Sequence, residues 1–306
     1  MNIEFKHPAV SDRDWMEPYF RASGCRGSEC SFTNLMLWGK GYGEIAVIGD
    51  FLVQFLKIDG VKYYAFPAGN PKGDLKFVVD VLLEDAKHYD HPLRFVGLTC
   101  GRKQLLMDTC PEAFQYDTNR NAYDYLYDIN RLADLGGKKL QSKRNHCNRF
   151  QQNHPDWFTT PITPENLNLC REFAQDWFAK NEGGETSQEH DFRVEKIAIG
   201  RAFDHFLDLG FEGLILFAGG APVAFTMGNP ITDDTFDVNF EKAVGEIQGA
   251  YPMINREFSR HIRGKYPNIK FLNREDDMGL PGLRKSKESY YPDELLVKHT
   301  AIFVGS

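Results

Sequence analysis

The stretch 235-TFDVNFEKAVGEIQGAYPMINREFSRHI-262 decides the fold. A strand over Thr235–Phe240 runs through Glu241 and Lys242 into a glycine-containing loop, Ala243–Ala250, and then into a helix that starts near Tyr251-Pro252. Proline suits the first turn of a helix, where its missing N–H costs nothing. Ile254, Phe258 and Ile262 then recur on one face at helical spacing. Gly249 and Ala250 stand where the unpaired amides and the positive dipole end of that helix converge, a place that holds a phosphate without a charged side chain. Lys242, at the strand's end, adds a point charge. The plainer reading of the same residues is a simple helix entry, with Gly249 serving chain reversal.

Working outward, strands are expected upstream at Gly213–Phe217 and Pro222–Met227, about a Gly219-Gly220 turn. Before them, Leu169, Phe173 and Trp177, and then Phe192, Ile199, Phe203 and Phe206, repeat with helical period. Downstream come a strand at Ile269–Leu272, a helix around Leu280–Ser289 and a last strand at Glu294–Phe303. The first half follows the same order. A helix at Asp12–Ala22 leads to strands at Glu44–Ile48, Phe51–Ile58 and Val61–Phe66, with a hairpin turn at Asp59-Gly60. The loop Pro67–Gly73, a helix from Asp74 to Tyr89, a strand at Leu93–Leu98, a short helix and a strand at Ala122–Tyr127 complete it. No residue-level repeat accompanies this parallel. The pattern is an α+β chain of two tandem units with mixed sheets. It is expected to divide into an N-terminal domain at 1–135, a basic connecting helix at 136–155 and a C-terminal domain at 156–306 that carries the site. Antiparallel strands first and a parallel crossover after the loop resemble the order found in acyltransferases of the GNAT type.

Composition narrows the function. The 306 residues are 42% hydrophobic and 26% charged, which excludes disordered, collagen-like and coiled-coil classes. A net charge of −7 leaves no chain-wide basic field for nucleic acid, though a local basic strip remains compatible with it. Phe51–Ile58 and Phe77–Leu83 are far shorter than the roughly 18–20 apolar residues a bilayer span needs. The N-terminus lacks the apolar core of a signal peptide, so a cytoplasmic location is expected. Six cysteines without a C-x-x-C are expected to be reduced thiols, and no Cys/His spacing matches a metal site.

Two further segments carry chemistry. Gly136–Phe150, GGKKLQSKRNHCNRF, holds Lys138, Lys139, Lys143, Arg144 and Arg149 with no acidic residue. On a helix Lys139, Lys143 and His146 lie near one face, and like charges at that spacing cost a few tenths of a kcal/mol per pair. A polyanionic ligand, or acidic residues from elsewhere in the chain, offsets that cost; a solvated basic face is the alternative. The segment Asn273–Tyr291 places Asn273, Arg274, Glu275, Asp276 and Asp277 directly after a strand, where open α/β sheets bind ligands. Glu275 and Asp276 are candidates to hold an ammonium group or act as a base, and Tyr290 to donate a proton to a leaving group. Arg284 and Lys285 follow on the next helix, in a pattern that dipole matching also produces.

The blocks KKLQSKRNHCNRF (138–150), FEKAVGEIQGAYPMINREF (240–258) and NREDDMGLPGLRKSKESYYP (273–292) resemble signature blocks of soluble bacterial proteins related to the C-terminal domain of phosphatidylglycerol lysyltransferase. The resemblance implies tandem GNAT-like domains, similar to the peptidoglycan-bridge aminoacyltransferases. It implies transfer of an acyl or aminoacyl group, by direct attack, from an activated donor to an amine or hydroxyl acceptor such as a small molecule or peptide. The donor would be a co-substrate, acyl-CoA or aminoacyl-tRNA, with no tightly bound cofactor. Lys139, Lys143, Arg144 and His146 would face the donor's phosphates. Lys242, Gly249, Ala250, Tyr251, Arg284 and Lys285 would complete donor binding, Glu241 and Asn273 would contact substrate, and Glu275, Asp276 and Tyr290 would serve the chemistry. The membrane-embedded lysyltransferases carry a multi-span region that has no counterpart here, which argues against a lipid acceptor. A rival reading is a binding protein with degenerate transferase domains that recognises a nucleotide, tRNA or anionic metabolite without turnover.

Overall fold

Two separate hydrophobic cores organise the chain. The structure, a computed structural model, describes residues 3–38, 43–58, 60–89, 91–181 and 186–305. Asp59 of the expected Asp59-Gly60 turn lies outside them, while Gly60 has a φ of +80°. One unit comprises Met1–Asp124, Asp276–Leu280 and Leu295–Ser306, and the other Tyr125–Glu275 and Pro281–Glu294.

The first unit opens with helices α1 (Arg13–Ser23) and α2 (Phe32–Trp38), followed by strands β1 (Glu44–Ile48), β2 (Phe51–Ile58), β3 (Val61–Ala65) and the short β4 (Ala68–Gly69). Helix α3 (Leu75–Ala86), strand β5 (Arg94–Leu98), helix α4 (Cys100–Thr109) and strand β6 (Phe114–Thr118) come next. Strands β1, β2 and β3 pair antiparallel, and β5 returns parallel to β3 after α3. Asp74 caps α3 by accepting the Phe77 amide at 3.0 Å, a contact worth about 1 kcal/mol. Leu75, Val78, Val79 and Leu82 bury the helix's inner face.

The second unit repeats the plan. It comprises β7 (Asp124–Asp128), α5 (Ile129–Asp134), α6 (Gln141–Asn153), β8 (Phe158–Pro161), α7 (Leu167–Asn181) and α8 (Thr186–Asp204), and then β9 (Glu212–Ala218), β10 (Ala221–Pro230) and β11 (Thr235–Ala243). Helix α9 (Ala250–Lys265) carries the chain to β12 (Phe271–Asn273), which pairs parallel to β11; α10 (Pro281–Glu288) and β13 (Glu294–Leu296) follow. The sheet order is β13-β7-β12-β11-β10-β9-β8. The α+β plan of two mixed sheets is thus as expected.

The strand assignment at the ends of the halves differs from expectation. Strand β7, expected to close the first half, pairs antiparallel with β12, Leu126 opposite Asn273. The last strand, β14 (His299–Phe303), does the reverse and inserts between β5 and β6. Burial accounts for the exchange. Tyr125 and Tyr127 are fully enclosed in the second core, and Ala301 in the first. The basic segment 136–155 is likewise no connector, because Leu140, Cys147 and Phe150 are buried in the second core. The first division therefore falls at 124/125 rather than at 135/136.

The contact between α6 and α9 depends on Gly249. It sits at φ +89°, and a Cβ there would lie 2.4 Å from the His146 carbonyl oxygen and 3.0 Å from Phe150 Cβ. Two obstacles therefore coincide, a backbone conformation that side chains rarely adopt and a backbone atom that cannot step aside. At the other end of α9, Glu212 gathers Lys265, the Tyr266 hydroxyl at 2.9 Å and the His261 imidazole at 3.6 Å. Burial pushes its carboxyl upward, but the neighbouring His261, Lys265 and Tyr266 outweigh that and hold it at about 2, against an ordinary 4.5.

Gly249→Ala should lower stability by at least about 2 kcal/mol, read from urea denaturation. Because the folded pKa of Glu212 is depressed, its contribution is complete above about pH 4.5 and is lost as pH falls toward 2. Glu212→Gln should therefore cost about 1–2 kcal/mol at pH 7 and flatten the acid limb of the stability profile. An unchanged acid limb would contradict the assignment.

Candidate active site

The sheet of the second unit forks where β11 outruns β12. Strand β12 pairs with β11 only from Thr235↔Phe271 to Asp237↔Asn273, whereas β11 continues along β10 as far as Ala243. Between the pairs Met227↔Phe240 and Asn229↔Asp237, β11 advances three residues and β10 two, so β11 carries a bulge at Val238-Asn239. Gly228 sits opposite, and a Cβ on it would fall 1.9 Å from the Asp237 carbonyl oxygen. A bulge reverses which side of the sheet the following residues face. Phe236 and Val238 pack with α9 before it and Ala243 after it. Glu241 is thereby aimed at α9 and Lys242 at α7.

Glu241 anchors a buried polar cluster. Its Oε1 accepts from Arg274 Nη2 at 3.0 Å and its Oε2 from Asn255 Nδ2 at 3.1 Å. The Arg274 side chain is 11% exposed. Arg274 Nη1 and Asn255 Oδ1 are each buried without a hydrogen-bond partner among the described residues. Leaving such groups unmatched costs about 1–3 kcal/mol apiece. Arg274 and Lys143 share the face system of Tyr290, with Arg274 Cζ 5.0 Å and Lys143 Nζ 4.1 Å from its ring centroid. Burial and then the Arg274 charge push the Lys143 ammonium below its ordinary value. Tyr127 meets Tyr290 edge-on at 6.4 Å and donates to the Lys287 carbonyl at 2.8 Å. Lys287 in turn donates to the Arg274 carbonyl, which fixes the backbone beneath the guanidinium.

Glu275 enters by a strained turn, at φ +55°, with its amide donating to Asn273 Oδ1 at 2.7 Å. Asn239 Nδ2 lies 3.5 Å from Glu275 Oε1 and 3.2 Å from Asp237 Oδ2. The result is a paired guanidinium and carboxylate at the fork, each held by a side chain from another element. It can receive a ligand that offers both an acceptor and an N–H donor.

Of the residues singled out in the sequence, Glu241, Lys143 and Tyr290 come together here, with Asn273 and Glu275 at the neighbouring turn. Burial pushes the Tyr290 phenol well above its ordinary value, so it keeps its proton at neutral pH. The others have different surroundings. Lys242 is buried against the Trp177 ring at 4.0 Å and paired with Glu195 at 2.7 Å, which satisfies its charge. Arg144 donates to the carbonyls of Leu135 and Gly137 and so ties down the chain after α5. Lys139 is exposed beside Tyr291, and Lys285 is exposed on α10, where Arg284 is half-buried. His146 offers its carbonyl to the tight approach at Gly249. Asp276 belongs to the first unit and accepts the Met278 amide at 3.0 Å.

The helix-end phosphate cradle is largely consumed. The Ala250 amide donates to the Ile247 carbonyl, Pro252 has no N–H, and the Met253 amide is already in the helix ladder on Gly249. Among the described residues, that leaves the Tyr251 amide of the three leading positions. Arg274 and Asn255 were the residues missed as binding groups. Their signals were an arginine directly after a strand, and an asparagine next to Ile254 on the inner side of α9.

Residues 20–302 match the family described as phosphatidylglycerol lysyltransferase, C-terminal. A conserved protein of unknown function from Bacteroides thetaiotaomicron is 39% identical, with 99% of this chain and 100% of that one covered and a TM-score of 0.91. L-PGS from Bacillus licheniformis shares the fold at 15% identity, covering 97% of this chain and 93% of that one, with a TM-score of 0.67. FemX does so at 8% identity, 98% coverage of both chains and a TM-score of 0.62. An uncharacterized protein of Mycoplasmoides gallisepticum is 24% identical over 183 residues, 59% of this chain; the chain spans about half the length of that curated relative, 56%. No helix among the described residues is long and apolar enough to cross a membrane. The chain belongs to the phosphatidylglycerol lysyltransferase C-terminal family, on a fold it shares with L-PGS and FemX.

Proposed function

We propose that this protein is an aminoacyltransferase that moves an aminoacyl group from a charged tRNA to an amine or hydroxyl acceptor, with the Glu241–Arg274–Asn255 cluster as its acyl-binding site. The observation that carries the proposal is the pair of buried, unmatched groups on one carboxylate: a donor, Arg274 Nη1, and an acceptor, Asn255 Oδ1. An aminoacyl ester presents the complement of both, a carbonyl oxygen and an amino group on the adjacent carbon. A simple acyl group presents only the first, so the aminoacyl donor is favoured over acyl-CoA. The family's name describes lysyl transfer, in agreement with this choice.

In the reaction the acceptor's nitrogen or oxygen attacks the ester carbonyl and its bond to the tRNA ribose breaks. The acceptor's proton ends on the ribose oxygen that leaves. Negative charge gathers on the carbonyl oxygen during the attack, where Arg274 Nη1, with the Lys143 charge close by, stabilises it. Glu241 holds the guanidinium in place and Asn255 orients the amino group. The Glu275 carboxylate, fixed by its turn, accepts the attacking group's proton.

The test is transfer of radiolabelled lysine from lysyl-tRNA, with phosphatidylglycerol vesicles and small peptide amines as parallel acceptors. Arg274→Met should lower kcat about 10²–10³-fold with the circular dichroism spectrum unchanged, and Asn255→Ala should mainly raise KM. Wild-type protein that binds lysyl-tRNA but transfers to neither acceptor class would leave a binding protein. Transfer unaffected by Arg274→Met would place the chemistry elsewhere.

A further inference from the structure

The first unit holds a buried pair of cysteines. Between α1 and α2, Cys25 and Cys30 are 5% and 3% exposed, with their sulfurs 2.6 Å apart and Cys30 donating to Cys25. From α4, Arg102 Nη1 donates to the Cys30 sulfur at 3.0 Å, while Arg102 Nη2 is buried without a hydrogen-bond partner among the described residues. A buried guanidinium needs a negative partner. Glu29 lines the same cavity, and it shares Lys298, at 2.6 Å, with Asp124 at 2.7 Å. The sulfur pair, which Arg102 Nη1 touches directly, becomes a further anionic partner when it gives up one of its two protons and shares the other.

The other buried thiols set the contrast. Burial pushes Cys147 up to about 11 and Cys170 up to about 12, so both stay protonated and inert. The hydrogen bond between Cys30 and Cys25 instead divides the pair, holding Cys25, which Arg102 also favours, below its ordinary value despite burial and Cys30, the donor, well above its own. A cavity adjoins the pair, lined by Phe20, Glu29, Cys30, Gln54, Phe66 and Arg102. It has about 20 Å³ of room for the centre of a water-sized molecule, just above what one water needs.

We propose that Cys25 and Cys30 form a peroxide-reactive dithiol that closes to an intramolecular disulfide. Hydrogen peroxide enters the cavity and meets Cys30, whose shared proton passes across to Cys25, so that the thiolate lies on Cys30 beside Arg102 Nη1. The thiolate attacks one peroxide oxygen, the O–O bond breaks, and the departing hydroxide takes up the shared proton to leave as water. Cys30 is then a sulfenic acid. The Cys25 thiolate attacks its sulfur and the S–O bond breaks, with the hydroxyl leaving as a second water once protonated from solvent. Two thiols and one hydrogen peroxide become one disulfide and two waters. The cavity's size excludes bulky disulfide oxidants such as oxidised glutathione, and Arg102 steadies the thiolate.

Peptide mapping of the full chain after hydrogen peroxide, with free thiols alkylated beforehand and afterwards, tests this. The expected product is a Cys25–Cys30 disulfide that dithiothreitol reverses, formed at least tenfold faster with hydrogen peroxide than with equimolar oxidised glutathione. Cys25→Ser should stop at a Cys30 sulfenic acid that dimedone traps, and Arg102→Lys should slow closure several-fold while circular dichroism stays unchanged. Oxidation of the exposed Cys100 alone, with Cys25 and Cys30 still alkylatable on unfolding, would overturn the proposal. So would equal rates with both oxidants.

Discussion

One carboxylate, Glu241, holds the candidate site together. Each of its oxygens takes a different partner from a different element, Arg274 after β12 and Asn255 on α9. Removing a carboxylate from beneath a buried guanidinium costs about 3–5 kcal/mol, because the remaining charge has no water to replace it. The bulge opposite Gly228 makes this contact possible. Without its extra residue the alternation along β11 would turn Glu241 toward α7 and bring Lys242 to the fork.

The same cluster is built at a cost. Two cations share one tyrosine ring, Lys143 is pushed toward losing its proton, and two buried hydrogen-bonding groups lack partners among the described residues. Native interiors match such groups almost everywhere. Two such exceptions on the partners of one carboxylate, where two strands part, are what a preorganised binding site requires. The ring platform and the Lys287 anchor restrict how Arg274 can move, so its free nitrogen waits in position rather than being collected by the ligand.

Much of this was legible in the sequence, though not the parts that choose among neighbours. The helix of Ile254, Phe258 and Ile262, the strand before it and the polar run after Leu272 follow from periodicity and chain position alone. Glu241 and Lys143 were accessible because charged residues at strand ends and on basic faces stand out. Lys242 beside Glu241 looked equally promising. Its fate depends on a bulge, and a bulge is a relation between two strands that neither announces. The exchange of β7 and β14 was hidden for a similar reason, since element order does not say which core Tyr127 or Ala301 will enter. Proline and glycine at the helix end by Gly249 signal an entry and leave both an open amide end and a plain entry compatible with the sequence. The carbonyl of Ile247 that takes its first amide is visible only once the loop is folded.

The most direct measurement is a crystal structure with a non-hydrolysable 3′-aminoacyl-amide analogue of the tRNA terminus. The account predicts its carbonyl oxygen within hydrogen-bond distance of Arg274 Nη1 and its amino group against Asn255 Oδ1. An analogue seated at the start of α9, or anywhere that leaves both of those atoms unoccupied by it, would contradict the account.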